Sequence, residues 1–211
     1  MERKKVYNGD FCDMKKVCVV TGGGSGIGFA AAKEAAKKGY YVMIVGRNEK
    51  KLAGAVEKLR KDGCEAEAYS CDVSDREHCF ALARHAAECG AVKTVLHIAR
   101  MSPHMGDAEK IMQANALGTV NISDAFFEVI AEGGCVIDTS STSAYMAPSF
   151  IMLKRVYPLA CTDRKLFMDK MMKKVKMFPR KTREGVAYSM SIRTGIRVGN
   201  EDLKDISIFI I

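Results

Sequence analysis

The feature that most constrains the fold is a glycine cluster, TGGGSGIG, at residues 21–28. It follows a short β-branched run, KVCVVT, and precedes an alanine-rich stretch at residues 27–38 that ends before Gly39. A strand, a glycine turn and a helix in this order place a helix N-terminus where backbone N–H groups can bind phosphate. A glycine cluster alone is consistent with a simple turn, but these flanks favour a dinucleotide-binding unit.

Strand-like and helix-like segments alternate over the first two thirds of the chain. The predicted strands are residues 16–21, 40–45, 65–71, 93–99 and 134–139, and the predicted helices are residues 27–38, 48–61, 75–89 and 107–131. Strands separated by helices, without tight hairpin turns, indicate a parallel sheet covered on both faces. The sequence therefore predicts one α/β domain over residues 1–211, a doubly wound parallel sheet of the Rossmann type with three α/β/α layers.

A basic segment, residues 144–187, interrupts this alternation. It contains eleven Lys and Arg against three Asp and Glu, a net charge of +8, which equals the net charge of the whole chain. Within it, residues 162–177 are predicted to be helical, with Thr162 or Asp163 as the cap. The apolar side of this helix is predicted to carry Leu166, Phe167, Met171 and Val175. We interpret the basic segment as an insertion within the domain.

Composition and charge exclude several classes of protein. No apolar run approaches the roughly 20 residues of a membrane span, and the N-terminus lacks the apolar stretch of a signal peptide, so a cytoplasmic protein without membrane contact is predicted. The eight cysteines show no C-x-x-C pair and no Cys/His cluster at ligand spacing, so no metal site is predicted. No nucleic-acid partner is predicted, because neither stacking aromatic groups nor a recognised binding module accompanies the positive charge.

The spacing TG-x-x-x-G-x-G resembles that of the short-chain dehydrogenase/reductase family. Three further motifs follow in the family's order, namely CDVSD at residues 71–75, NALG at 115–118 and GGCVIDTSS at 133–141. The resemblance covers about residues 15–150 and then the surroundings of Tyr188. It implies a nicotinamide cofactor held by Gly22, Ser25, Gly26, Ile27, Gly28, Asp72 and Val73, with Asp72 at the adenine.

The resemblance also implies a catalytic serine and tyrosine. These are Ser141, with Ser140 as the less favoured candidate, and Tyr188, while Asn115 inherits a structural and proton-relay role. In the family the tyrosine exchanges a proton with the substrate oxygen as hydride moves to or from the nicotinamide. A lysine at i+4 normally lowers the tyrosine pKa from its free value near ~10. Here i+4 is Ile192.

Two alternatives follow from that replacement. Arg193 is basic, but at i+5 it lies about 100° further round the helix. Tyr188 is alternatively an aromatic residue that only packs at a helix start.

Arg47 bears on which nucleotide is bound. It follows the second predicted strand, about 20 residues beyond the glycine turn, where an acidic residue would bind the ribose of NAD. A guanidinium can bind a 2′-phosphate by charge-assisted hydrogen bonds, so NADP(H) is favoured over NAD(H). The alternative is a solvated surface arginine.

Two departures from the family pattern concern the site and the C-terminal end. The family's Asn-Asn-Ala-Gly reads HIAR at residues 97–100, so Arg100 replaces a glycine and is predicted either to clash with the nucleotide or to contact its phosphates. His97 is predicted to be structural. Only 23 residues follow Tyr188, and GIRV at 195–198 resembles the start of a sixth strand that arrives too early. The C-terminal strands are therefore predicted to be incomplete.

Two functions are consistent with this pattern. The first is an NADP(H)-dependent oxidoreductase acting on a small-molecule secondary alcohol or ketone. Hydroxysteroids are candidate substrates, because the basic segment resembles the lid of bacterial 3α-hydroxysteroid dehydrogenase/carbonyl reductases. The alternative for this segment is a solvated helix that packs on the body or on another subunit. The second function is a catalytically impaired or truncated relative that binds nucleotide. The family forms a homo-oligomer through two long helices, and the second of these is altered here.

Overall fold

The computed structural model describes residues 15–146 and 151–202. Its strands are β1 (Lys16–Thr21), β2 (Tyr41–Gly46), β3 (Ala66–Ser70), β4 (Ala91–His97) and β5 (Cys135–Asp138). All neighbours are parallel, and the strand order is β3-β2-β1-β4-β5. Strand β1 is central, with β2 and β3 on one side of it and β4 and β5 on the other. A doubly wound parallel sheet is thereby confirmed.

The helices connect these strands and continue after them. They are α1 (Gly26–Lys37), α2 (Glu49–Lys61), α3 (Arg76–Cys89), α4 (Ala108–Met112), α5 (Gly118–Phe127), α6 (Ser143–Met146), α7 (Leu159–Thr162), α8 (Arg164–Lys176) and α9 (Arg183–Asp202). A π-helical turn, Gln113–Leu117, joins α4 to α5, and a 3₁₀ turn, Arg180–Thr182, precedes α9. The long helix predicted at 107–131 therefore continues through this wider turn and ends earlier, at Phe127.

Alternate residues of the central strand pack against opposite helical layers. Val17 and Val19 lie in a core with residues of α3 and α5, whereas Cys18 and Val20 lie in a core with residues of α1 and α2. Both sets are at most 1% exposed. Because side chains alternate across a strand, a run that is apolar at every position needs cover on both faces. The three-layer α/β/α architecture is confirmed by this arrangement.

Polar caps begin four of the helices. The side chains of Asn48, Asp75, Asp107 and Asp163 each accept a hydrogen bond from a main-chain N–H in the first turn of α2, α3, α4 and α8. Such caps satisfy donors that have no partner within the helix. The cap of α8 is thus Asp163 rather than Thr162.

The C-terminal prediction for GIRV was wrong. Residues 195–198 lie within the 20-residue helix α9 and form no strand. Within the described ranges the sheet has five strands, and residues 203–211 lie outside the described residues.

The basic segment packs its apolar side against the domain. Phe167, Met171 and Val175 are fully buried in a second core with residues of α4, the π turn and α9. Leu166 was predicted on this apolar side but is exposed. Of the segment's methionines, Met152 and Met171 are buried while Met177 is exposed, and the side chain of Met146 lies outside the description. This packing favours a helix that packs against the domain over an open methionine-rich lid.

The longest described helices are too short or too polar to serve as a membrane span.

Candidate functional site

The glycine turn after β1 is held close to the first turn of α1. Gly22 has φ +71°, in the left-handed region that glycine adopts readily. A Cβ added at Gly28 would lie 2.2 Å from the Gly22 carbonyl oxygen. Helix and turn therefore approach each other more closely than any side chain at position 28 would permit.

The N-terminus of α1 differs from those of α2, α3 and α8. Its N-cap residue, Ser25, makes no side-chain capping bond, and the first turn holds no acidic residue. The backbone N–H groups at this end are left for a ligand, and the helix dipole favours a negative charge there. Donors of this kind fit a pyrophosphate.

A cavity of about 380 Å³ opens beside this turn at the carboxyl edge of the sheet. Seven of the predicted cofactor-binding residues line it: Gly22, Ser25, Ile27, Gly28, Arg47, Asp72 and Val73. Gly26 begins α1 with φ +55° and is not part of the lining. The walls also include Arg100 and Met101. Carboxyl edges of parallel strands are where doubly wound folds bind ligands.

The two charged residues predicted to contact the nucleotide are neighbours in space. Arg47 Nη1 lies 3.9 Å from Asp72 Oδ2, and 60% of the Arg47 side chain is exposed. The other carboxylate oxygen of Asp72 accepts hydrogen bonds from the main-chain N–H and the hydroxyl of Ser74. Asp72 is thus fixed by its own loop, while Arg47 keeps most of its donors available at the mouth of the cavity.

Thr21 and His97 form a buried link between the ends of β1 and β4. The Thr21 hydroxyl oxygen accepts hydrogen bonds from the N–H groups of Ile98 and Ala99, each at 3.1 Å. Its single proton is therefore directed to His97 Nδ1, 2.7 Å away. Burial lowers the pKa of His97 well below its usual range, with Arg100 acting in the same direction. His97 is consequently a neutral structural residue, in agreement with its predicted role.

Arg100 lies in the cavity wall, and its guanidinium is bonded to main-chain carbonyls. Its guanidinium donates to the carbonyls of Ala99 and Thr139 at 2.9 and 2.8 Å, and it lies 3.8 Å from Asp138 Oδ1. Burial lowers the pKa of Arg100, while Asp138 and Tyr188 favour its charged form. Arg100 therefore forms part of the cavity wall, and its two predicted effects, a clash with the nucleotide or a contact to its phosphates, stay predictions.

Asp138 is the buried partner of this arginine. Its carboxylate is 4% exposed, and Oδ1 has no hydrogen-bond partner among the described residues. Burial raises the pKa of Asp138 to about 6, against the opposing effect of Arg100. The sequence analysis did not single out Thr21 or Asp138. Each is a polar residue that ends an otherwise apolar strand, and this is the signal that would have found them.

Asn115 supports the segment that follows β4. In the π turn it is 1% exposed, its Oδ1 accepts the Met101 N–H, and its Nδ2 donates to the Met101 carbonyl, both at 2.8 Å. Its own carbonyl accepts the Thr119 hydroxyl. These contacts match a structural role, and the relay role stays a prediction.

Ser141 lies just beyond β5, where the strand has ended. Its hydroxyl donates to Ser143 Oγ at 3.2 Å and accepts the Ser143 N–H. Ser140, the less favoured candidate, has a buried hydroxyl without a described partner. Both serines are half-buried, and of the two only Ser141 has a described hydrogen-bond partner for its hydroxyl.

Tyr188 lies in the second turn of α9 and is half-buried against the second core. One helical turn later Ile192 is 4% exposed, so the position predicted for the family's cation holds a buried apolar side chain. Arg193 does not replace that cation. Its guanidinium donates to the Ala144 carbonyl at 2.7 Å and lies over the Tyr145 ring. Arg193 instead ties α9 to the segment that carries Ser141.

Comparison with known proteins shows which sequences this chain resembles. The sequence pattern described as short chain dehydrogenase matches residues 16–153, more than half of the 211-residue chain. A sorbose reductase of Schizosaccharomyces pombe is 32% identical over 146 residues, which is 63% of this chain and 57% of the yeast protein. A 3beta-hydroxysteroid dehydrogenase of Mediterraneibacter gnavus is 44% identical over 68 residues, 32% of this chain and 25% of that protein.

Solved structures share the fold. A short-chain dehydrogenase/reductase from Burkholderia phymatum, crystallised with NAD, superposes with a TM-score of 0.69 at 21% identity, covering 93% of this chain and 64% of that one. The chain spans about half the length of the curated relatives it matches. Tyr188 lies beyond the matched residues, whereas the glycine turn, Asp72, Asn115 and Ser141 lie within them. On this match and this fold, the chain belongs to the short-chain dehydrogenase family.

Proposed function

We propose that the protein is an NADP(H)-dependent oxidoreductase that interconverts a secondary alcohol and a ketone. The observation that carries this proposal is the cavity at the carboxyl edge, which the predicted cofactor residues line together. The uncapped N-terminus of α1 beside it adds donors suited to a phosphate.

The proposed cofactor contacts follow from the cavity walls. The N–H groups at the start of α1 would hold the pyrophosphate, and Asp72 and Val73 would contact the adenine. Arg47 supports NADP(H) over NAD(H), because its exposed guanidinium can make charge-assisted bonds to a 2′-phosphate. The bound cofactor would supply or accept the hydride.

The protein's own groups would handle the proton. The Tyr188 hydroxyl would give a proton to the ketone oxygen, or take one from the alcohol, while the Ser141 hydroxyl would hydrogen-bond the same oxygen. Asn115 would keep the Met101 segment in place at the cavity wall.

Arg100 is the cation that we assign to the role of the absent lysine. Its guanidinium is fixed by two carbonyls, its side chain is only 14% exposed, and it interacts electrostatically with Tyr188. A buried cation can stabilise negative charge that develops during proton transfer, more strongly where water is scarce. An arginine stays charged when buried beside a carboxylate.

A second function is favoured by Ile192. With an apolar side chain one turn after Tyr188, the chain would bind the nucleotide without turning over a substrate. Two classes of substrate are candidates. The yeast relative is named for a ketose and the bacterial relative for a hydroxysteroid.

Purified protein, NADPH and a panel containing sorbose, simple ketones and steroid ketones test these proposals. Oxidation of NADPH by the wild type, abolished in Tyr188→Phe, supports the oxidoreductase. The binding module is supported instead if NADPH raises the melting temperature but neither the wild type nor Ile192→Lys turns over a substrate. A larger shift with NADH than with NADPH contradicts the assignment of Arg47.

Variants of Arg100 test its assignment. Arg100→Lys keeps a cation and is expected to retain part of the activity, while Arg100→Met is expected to lose it. Full activity in Arg100→Met, with an intact circular dichroism spectrum, contradicts the role.

A further inference from the structure

Three potential metal ligands meet between β3 and α3, away from the cavity. Glu67 is on the edge strand β3, and His85 and Cys89 are one turn apart on α3. Glu67 Oε1 lies 3.0 Å from His85 Nε2 and 3.4 Å from Cys89 Sγ, and the sulfur lies 3.9 Å from the same nitrogen. All three residues are half-buried. We call this group the β3–α3 cluster.

The separations match those around a tetrahedral ion. With bonds of about 2.0–2.3 Å, neighbouring ligand atoms of a zinc site lie roughly 3.3–3.6 Å apart. The three observed separations fall within about 0.4 Å of that interval. Zinc binds thiolate, imidazole and carboxylate together, and three protein ligands leave one position for water. We propose that the β3–α3 cluster binds one Zn²⁺.

Neighbouring side chains contact two of the three ligands, His85 and Glu67. The other ring nitrogen of His85 lies 4.0 Å from Glu88 Oε2, on the side where metal-bound histidines commonly face a carboxylate. The Tyr41 hydroxyl bonds to Glu67. The Tyr69 ring lies 5.1 Å from the His85 ring. Two acidic residues, Glu67 and Glu88, balance much of the charge of a divalent cation.

The position of the cluster points to a structural role for the metal. Glu67 is near the start of β3, and Cys89 ends α3, so the cluster lies toward the amino edge of the sheet. The cavity lies at the carboxyl edge. An ion here would tie the edge strand to the helix covering it, and would stabilise the folded chain without entering the reaction.

The sequence analysis predicted no metal site, because the cysteines showed no recognised ligand spacing. His85 and Cys89 are separated by one helical turn, which places both on one face of α3, but the third ligand comes from another element. Only the packing of α3 on β3 brings Glu67 to them.

The test uses the full chain, stripped of metal with a chelator and titrated with Co²⁺ and then Zn²⁺. We expect one Co²⁺ per chain, a thiolate-to-cobalt charge-transfer band, the visible bands of a four-coordinate site, and displacement of Co²⁺ by Zn²⁺. Saturating Zn²⁺ should raise the melting temperature. Cys89→Ser and His85→Ala should each weaken Zn²⁺ binding by at least about tenfold. Cys64→Ser and His78→Ala, matched changes outside the cluster, should bind as the wild type does.

Absence of the charge-transfer band from the wild type overturns the proposal, whatever the variants do. Equal Zn²⁺ affinity in Cys89→Ser and wild type overturns it as well, because the ion would then bind elsewhere. In that case the three residues form only a hydrogen-bonded group, in which Cys89 and His85 bond to Glu67. Cofactor binding, measured separately with NADPH, is independent of either outcome.

Discussion

Replacement of Gly28 by alanine tests the close contact between helix α1 and the glycine turn. The added Cβ would lie 2.2 Å from the Gly22 carbonyl oxygen and 2.7 Å from its carbon, and both atoms belong to the main chain. Relief requires that α1 move away from the turn by about 1 Å, which we place at about 3 kcal/mol for overpacking at a rigid site. The helix propensity of alanine returns about 1 kcal/mol. The net loss of stability is therefore about 2 kcal/mol.

Thermal unfolding followed by circular dichroism measures this loss. At about 2–4 °C per kcal/mol for a chain of this size, we expect the melting temperature to fall by about 4–8 °C. NADPH titration should show weaker binding, because the first-turn N–H groups move with the helix. The matched control is Gly54→Ala in α2, where an added Cβ would meet nothing within 4 Å and the melting temperature should rise by about 2–4 °C. If the two variants shift the melting temperature in the same direction, the steric reasoning is refuted.

Two further predictions concern buried polar groups beneath the cavity. Because burial raises the pKa of Asp138 from its ordinary value of 3.8 to about 6, the folded state holds this proton more tightly than the unfolded state does. The associated stability, about 3 kcal/mol, is fully present below pH 4 and is lost as the pH rises through 6. Urea unfolding across this range should show that loss in the wild type and not in Asp138→Asn; parallel curves would contradict it. Thr21→Val removes the hydroxyl that binds the Ala99 N–H and His97 Nδ1, which should cost about 1–3 kcal/mol in the same assay. Thr21→Ser keeps the hydroxyl and should cost less; equal losses would show that the hydrogen bonds contribute nothing.

Sequence patterns predicted the fold well where it depends on residues that are close together in the sequence. The apolar run of β1 requires cover on both faces, and its flanking glycine turn requires a helix to follow. The parallel, three-layer sheet was predicted from the alternation of strand-like and helix-like segments, and these features of β1 agree with it. The GIRV prediction failed because a four-residue β-branched pattern is also compatible with a helix that has already begun, as α9 has at Arg183.

The candidate site was predictable in part. The glycine turn and Arg47 each follow a strand in one short loop, and the family resemblance assigned the remaining cofactor residues. The contacts of Arg100 beyond β5 could not be predicted, because Thr139 is 39 residues away in sequence. Leu166 was misplaced because helical spacing gives the side of a helix but not the width of the surface that covers it.

The sequence by itself determined the order of strands and helices, the glycine turn, and the apolar residue one turn after Tyr188. These depend on residues within a few positions of one another, where steric and hydrogen-bonding preferences act directly. The tertiary structure decided where the charges went: Arg100 into the cavity wall against Asp138, Arg193 onto Ala144, and Glu67 beside His85 and Cys89. A long side chain binds the buried acceptors that packing brings near it. The distance between two residues in the sequence does not predict which acceptors these are.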